Sequence, residues 1–250
     1  MAICKLCGQE KTLLEKSHII PDFMYNGMFD ENHKLHLSPI SIEPIDKRFI
    51  KKPSNGEYEG GLLCADCDNK LLGDNYENYA SRFFKGGELL ELQTCRNQNG
   101  IEFIKCGKLD YHKFKLFLLS ILWRASISSR NFFSEINLGK HENKIREMLL
   151  SKNAGDVSDY PIFVMTYAHD PTLPKELIAQ PRLVNSFDGL QLFSFMINGY
   201  FYFFYINEPN YKLPQFVVDE TIKPNNEINI IIIPKNKGWD FILGQSGIKR

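Results

Sequence analysis

Two cysteine pairs, Cys4-Lys-Leu-Cys7 and Cys64-Ala-Asp-Cys67, constrain this chain more than anything else in it. Two residues between thiolates let one tight turn aim both sulfurs at a single ion, and four thiolates complete the tetrahedral shell of Zn²⁺. Gly8 follows the first pair and supplies a residue tolerant of positive φ where such a knuckle turns. The second pair runs into Asp68-Asn-Lys-Leu-Leu, which reads as the start of a helix. Between the pairs lie 56 residues, so a segment is inserted between the knuckles. Two redox dithiols or incidental buried cysteines are the alternatives, and they account less well for matched spacing at both ends.

The remaining cysteines read differently. A hairpin turn centred on Asn99-Gly100 sets Cys95 opposite Ile104 and Cys106 opposite Gln93, so their sulfurs do not face each other. Both are expected to be half-buried core residues.

A boundary at residue 85 is expected to separate a turn-rich zinc module, 1–85, from an α+β domain, 86–250. Residues 88–106 look like a hairpin. Helices are expected over about 110–154: Asp110 can cap a helix whose apolar positions Phe114, Phe117, Leu118, Ile121, Leu122 and Ala125 follow helical spacing. A second helix is expected from Lys140 to Ser151, with Ile145, Met148 and Leu149 inward and Gly155 just past its end. From 160 to 250 the pattern turns to β: Ile162–Tyr167, Leu190–Ile197, Tyr200–Ile206 and Ile228–Ile233, with Asn198-Gly199 as a hairpin turn. The fold class is therefore α+β: a zinc-bound N-terminal module, then a helical pair packed on a mostly antiparallel sheet. The aromatic run Tyr200–Tyr205 alternates as a strand can, and it reads as core rather than as a stacking surface for bases.

Within the insert stands Ser17-His18-Ile19-Ile20-Pro21. Cys4-x-x-Cys7, this His-Ile-x-Pro strand end, and Leu62-Leu63-Cys64-x-x-Cys67-Asp68-x-Lys70 together resemble the zinc-stabilised HNH endonucleases, over roughly the first 75 residues. The resemblance implies a treble-clef, or ββα-metal, module that hydrolyses nucleic-acid phosphodiester bonds. By that likeness His18 is the general base on water, and one Mg²⁺ or Mn²⁺ stabilises the departing oxygen. The position before the histidine is commonly an Asp that ligates this ion, and here it is Ser17. Two other family positions fall on Glu59 and Asp68, hard oxygen ligands of the kind such an ion takes. The resemblance further suggests a bacterial or phage source and a role in defence. A fold retained as a catalytically inactive nucleic-acid-binding module, or as a protein-interaction adaptor, is the competing expectation.

Charge restricts the partners. With 30 basic and 30 acidic residues the chain carries no basic surplus of the kind a nucleic-acid coat protein shows. Residues 1–85 hold 11 Lys and Arg against 13 Asp and Glu, whereas residues 108–150 hold 8 against 4. Lys47, Arg48, Lys51 and Lys52 cluster before Glu59 and are placed to hold phosphates, with Arg124 in the basic helical zone as a second contact. DNA is expected ahead of RNA, and a protein partner or a second copy of the chain is allowed. No signal peptide or membrane-length apolar run is seen, so a cytoplasmic protein with reduced thiols is expected. No phosphate-binding glycine loop, nucleophile elbow or dinucleotide fingerprint is present, which leaves nucleotide-hydrolase, serine-hydrolase and dehydrogenase readings without support.

Overall fold

Asp110 caps the helix around which the molecule is built. In a computed structural model, which describes residues 1–36, 53–84, 91–98, 100–187, 189–209, 211–225 and 227–246, its carboxylate accepts the Lys113 backbone N–H at 3.0 Å. This helix, α2, spans Tyr111–Ile127. Every residue from Phe114 to Ala125 is buried, so α2 is enclosed on all sides, as a helix apolar around most of its circumference must be. Helix α3, His141–Ser151, packs against it and buries Ile145, Met148 and Leu149. Its end differs from expectation. Lys152 takes the left-handed cap at φ 57°, with its N–H on the Met148 carbonyl. Gly155 instead serves the loop beyond: φ is +65°, and a Cβ there would meet the Asp159 carboxylate at 2.6 Å.

Seven strands form one sheet in the order β5-β6-β11-β7-β10-β9-β8. They are β5 Glu91–Arg96, β6 Glu102–Gly107, β7 Ile162–Thr166, β8 Ile178–Phe187, β9 Leu190–Ile197, β10 Tyr200–Asn207 and β11 Ile228–Ile232. All neighbours are antiparallel except β11 and β7, which run parallel. Asn198 (φ 48°) and Gly199 (φ 86°) make the two-residue turn between β9 and β10, both residues positive in φ as a type I′ hairpin needs. The β5–β6 register corrects the sequence reading by one residue: Cys95 faces Phe103 and Cys106 faces Leu92. The two sulfurs still lie on different rungs.

Alternation along β10 explains its aromatics. Tyr202, Phe204 and Ile206 join the core that contains α2, while Phe201, Phe203 and Tyr205 join a second buried layer with Val217 and Ile242. The latter two come from short helices α4 (Gln215–Glu220) and α5 (Gly238–Ser246). Both faces of the sheet are thus covered, and the ring-rich strand is core.

The N-terminal residues also pack against α2, where the rings of Phe23 and Phe117 stack at 5.7 Å. Short strands β1 (Ala2–Ile3) and β2 (Glu10–Lys11) pair, as do β3 (Ser17–His18) and β4 (Tyr58–Glu59). A π-helical stretch, Asp66–Glu77, passes directly into α1, Asn78–Phe84. One continuous buried cluster runs from Cys4, Leu6, Ile20 and Leu72 through α2 to Ile162 and Phe195. Packing is therefore unbroken between the two halves of the chain, and the boundary expected at 85 lies among residues outside the described ones.

Candidate functional site

The first knuckle closes on itself. The Cys4 N–H donates to the Gln9 carbonyl at 2.9 Å and the Gly8 N–H to the Cys4 carbonyl at 2.8 Å, with Gly8 at φ +71° as the turn requires. The second is the entry to the π-helical stretch, where the N–H groups of Cys67 and Asp68 both donate to the Cys64 carbonyl at 3.0 Å. Three hydrogen bonds of 2.9 Å join the two: Lys5 N–H to Leu62 O, Leu14 N–H to Leu63 O, and Gly61 N–H to Leu14 O. All four Sγ atoms lie within 4.8 Å of one another. Tetrahedral thiolates about 2.3 Å from a zinc ion stand roughly 3.8 Å apart, so the cluster has the size and the donors to hold a metal ion such as zinc. Among the described residues it is the only group of three or more His, Cys, Asp or Glu ligand atoms so gathered.

Electrostatics in the cluster are uneven. Burial opposes ionisation of Cys4, but backbone N–H groups of Cys7, Cys64 and Leu6 outweigh it and bring the thiol down to about 7. Burial pushes the Cys67 thiol up, reinforced by its hydrogen bond with Cys64 and by charge on Cys4. A cation at the centre would supply the charge that four clustered thiolates need.

Beside the cysteines, β3 carries His18 to the wall of a cleft of about 450 Å³. Asp68, Asp22, Asp74, Glu77 and Arg124 line the same cleft. His18 pairs with Tyr58 in register, and the rings meet edge to face at 6.3 Å. Among the described residues the His18 imidazole has no hydrogen-bond partner. Asp68 is held by Ser17, whose buried hydroxyl donates to Oδ1 at 2.6 Å.

Glu59 goes elsewhere. It pairs with Ser17 in register, but its carboxylate turns to the end of α2. There Oε2 accepts from Ser128 Oγ at 2.5 Å and from the Ser129 N–H at 2.9 Å, while Oε1 accepts from Ser129 Oγ at 2.6 Å. Burial works against its charge, yet these hydrogen bonds prevail and hold the carboxyl below its usual range. Glu59 is not among the residues lining the His18 cleft.

The basic helical zone is also differently employed. Arg124, expected at a phosphate contact, is 1% exposed. Its guanidinium reaches the His18 carbonyl at 2.7 Å and the Glu77 carboxylate at 2.8 Å. Arg146 of α3 donates through Nε to the carbonyls of Lys5 and Leu6, at 3.1 and 2.6 Å, clasping the first knuckle. Arg130 meets Glu57, Lys140 meets Glu208, and Lys144 meets Asp159. Each of these cations is matched within the protein. Lys47, Arg48, Lys51 and Lys52 lie outside the described residues.

Sequence reasoning missed Asp22, Asp74 and Glu77 as cleft residues. Asp66 lies outside the cleft, and its ion pairs with Lys70 and Lys11 bring it down to about 2. No helix among the described residues is long and apolar enough to cross a membrane. Compared with models of protein families, with curated proteins and with solved structures, the chain matches none.

Proposed function

We propose that the chain is a metal-dependent, HNH-like endonuclease whose cysteine cluster holds structural zinc. A single observation carries this reading: His18, its ring without a hydrogen-bond partner among the described residues, opens on a carboxylate-lined cleft beside the four-thiol cluster. His18 accepts a proton from water as the water oxygen bonds to phosphorus and the bond to the leaving ester oxygen breaks. A divalent ion held in the cleft would supply charge to neutralise that departing oxygen. Asp68, steadied by Ser17, is the chain's first candidate to hold the ion. Among the described residues no three carboxylates converge, so water and substrate phosphate would complete the shell, as is usual for Mg²⁺.

Supercoiled plasmid incubated with Mg²⁺ or Mn²⁺ tests the reading. Nicking that disappears in His18→Ala supports it, and nicking retained by that variant overturns it.

A second reading draws on Ser17 in place of a carboxylate: a zinc module that binds nucleic acid or a protein without cleaving. Gel shift of DNA without nicking favours nucleic-acid binding, and neither nicking nor shift favours a protein partner.

A further inference from the structure

We propose that Arg124 is the residue that positions His18, gripping its backbone from a helix 106 residues further along the chain. Strand β3 is two residues long, and its pairing with β4 amounts to Ser17 against Glu59 and His18 against Tyr58. So short a ribbon frays unless something else holds it. Its far side is tied by the Ile19 N–H on the Glu57 carbonyl at 3.0 Å. The His18 carbonyl is tied by Arg124 Nη1 at 2.7 Å. Because the imidazole itself has no hydrogen-bond partner among the described residues, the ring's place follows from its backbone and the edge of Tyr58.

The same guanidinium fixes the opposite wall. Nη2 meets Glu77 at 2.8 Å, at the end of the stretch that also carries Asp68 and Asp74. Nε and Nη2 are further held by the Ser120 carbonyl and hydroxyl, each at 3.3 Å. With the Ser17–Asp68 hydrogen bond at the start of the stretch, one planar fork at its end sets the spacing between the histidine strand and the carboxylate helix. An ammonium offers no such fork. A buried guanidinium is costly to keep, and an apolar residue would serve plain packing among the leucines of α2 as well. What the arginine adds is geometry, the kind of support a reacting group needs to within about half an ångström.

The inference rests on the reading of His18 as base, so the experiment separates the two. Arg124→Lys, Arg124→Ala and Glu77→Gln are prepared in the full chain, and zinc content and thermal unfolding are recorded first. Hydrogen exchange is then followed by mass spectrometry on the peptide covering 15–20, against the peptide covering 64–84. Arg124→Lys is expected to exchange about ten-fold faster at 15–20 with 64–84 and zinc content unchanged; this readout needs no activity. In plasmid nicking with Mn²⁺, the same variant is expected to lose about 10- to 100-fold in kcat with KM within about two-fold, the scale of a misplaced reacting group. Guanidinium chloride at a few millimolar is expected to restore nicking to Arg124→Ala. Should Arg124→Ala not fold, Arg124→Lys and Glu77→Gln decide. Unchanged exchange at 15–20 overturns the inference, as does faster exchange spread evenly over the chain with loss of zinc. If the wild-type protein does not nick, the nuclease reading fails and the exchange result alone decides whether Arg124 holds the strand.

Discussion

Ser17 donates its hydroxyl to Asp68 across 2.6 Å, joining the histidine strand to the helix that begins at the last two cysteines. Ser17 is 1% exposed, and its acceptor is a carboxylate oxygen, which makes this one of the stronger side-chain hydrogen bonds.

Ser17→Ala is therefore expected to lower unfolding free energy by about 1.5–3 kcal/mol, the scale of a hydrogen bond to a charged group. Urea unfolding at pH 7 measures it. A variant as stable as the wild type would show that Asp68 finds water instead.

The cysteine cluster predicts about one zinc per chain, lost in Cys67→Ser. Binding must displace thiol protons, most of all at Cys67, where burial favours the protonated form. Zinc retention should accordingly fall as the pH is lowered. A chromophoric zinc indicator follows the release, and retention independent of pH would count against thiolate ligands.

Lys115 provides a pH signature free of metal. It is 1% exposed in α2, donating to the Tyr111 hydroxyl at 2.9 Å and to the Asp156 carbonyl at 2.8 Å. Burial brings its amine down to about 7 from 10.5, with Asp159 and Asp156 pulling the other way. Between those values the unfolded chain holds a proton that the folded chain has released, so raising the pH favours folding. Stability should climb from pH 7 to 9, by up to about 1.4 kcal/mol per pH unit from this group. Lys115→Met should flatten that climb. Equal slopes in denaturant midpoint for both proteins would refute the assignment.

Continuity of the core makes a further prediction. Leu6, Ile20 and Leu72 share one buried cluster with α2. A fragment of residues 1–90, supplied with zinc, is expected to give a poorly dispersed amide NMR spectrum, whereas the full chain disperses. A well-folded fragment would mean that the cysteine module closes without α2.

Much of this could be read from residue order, where the cause was local. The Asp110 cap, the apolar stripe of α2 and the Asn198-Gly199 turn each depend on a few neighbouring residues, and each stands as expected within a residue or two. The paired cysteines were legible because ligand spacing is itself local. Strand β8 was not foreseen. Gln180-Pro181 and Asn185-Ser186 look like loop, and only an edge position with register shifts after Ala179 and Leu183 accommodates them. Asp74 and Glu77 were hidden for another reason: i→i+5 bonding, as from the Asn78 N–H to the Gly73 carbonyl, departs from the spacing by which helix faces are recognised. Partners such as Glu59 with Ser128, or Arg124 with His18, lie 69 and 106 residues apart, and no local pattern announces them.

The two arginines that reach back from α2 and α3 also bear on the order in which the molecule assembles. Arg146 meets Leu6 across 140 residues of chain and Arg124 meets His18 across 106. Contacts so distant close late, after their loop entropy has been offset by structure in between. Residues synthesised well before these helices are consequently slow to settle, and the histidine stays unset until the helical pair has docked behind it.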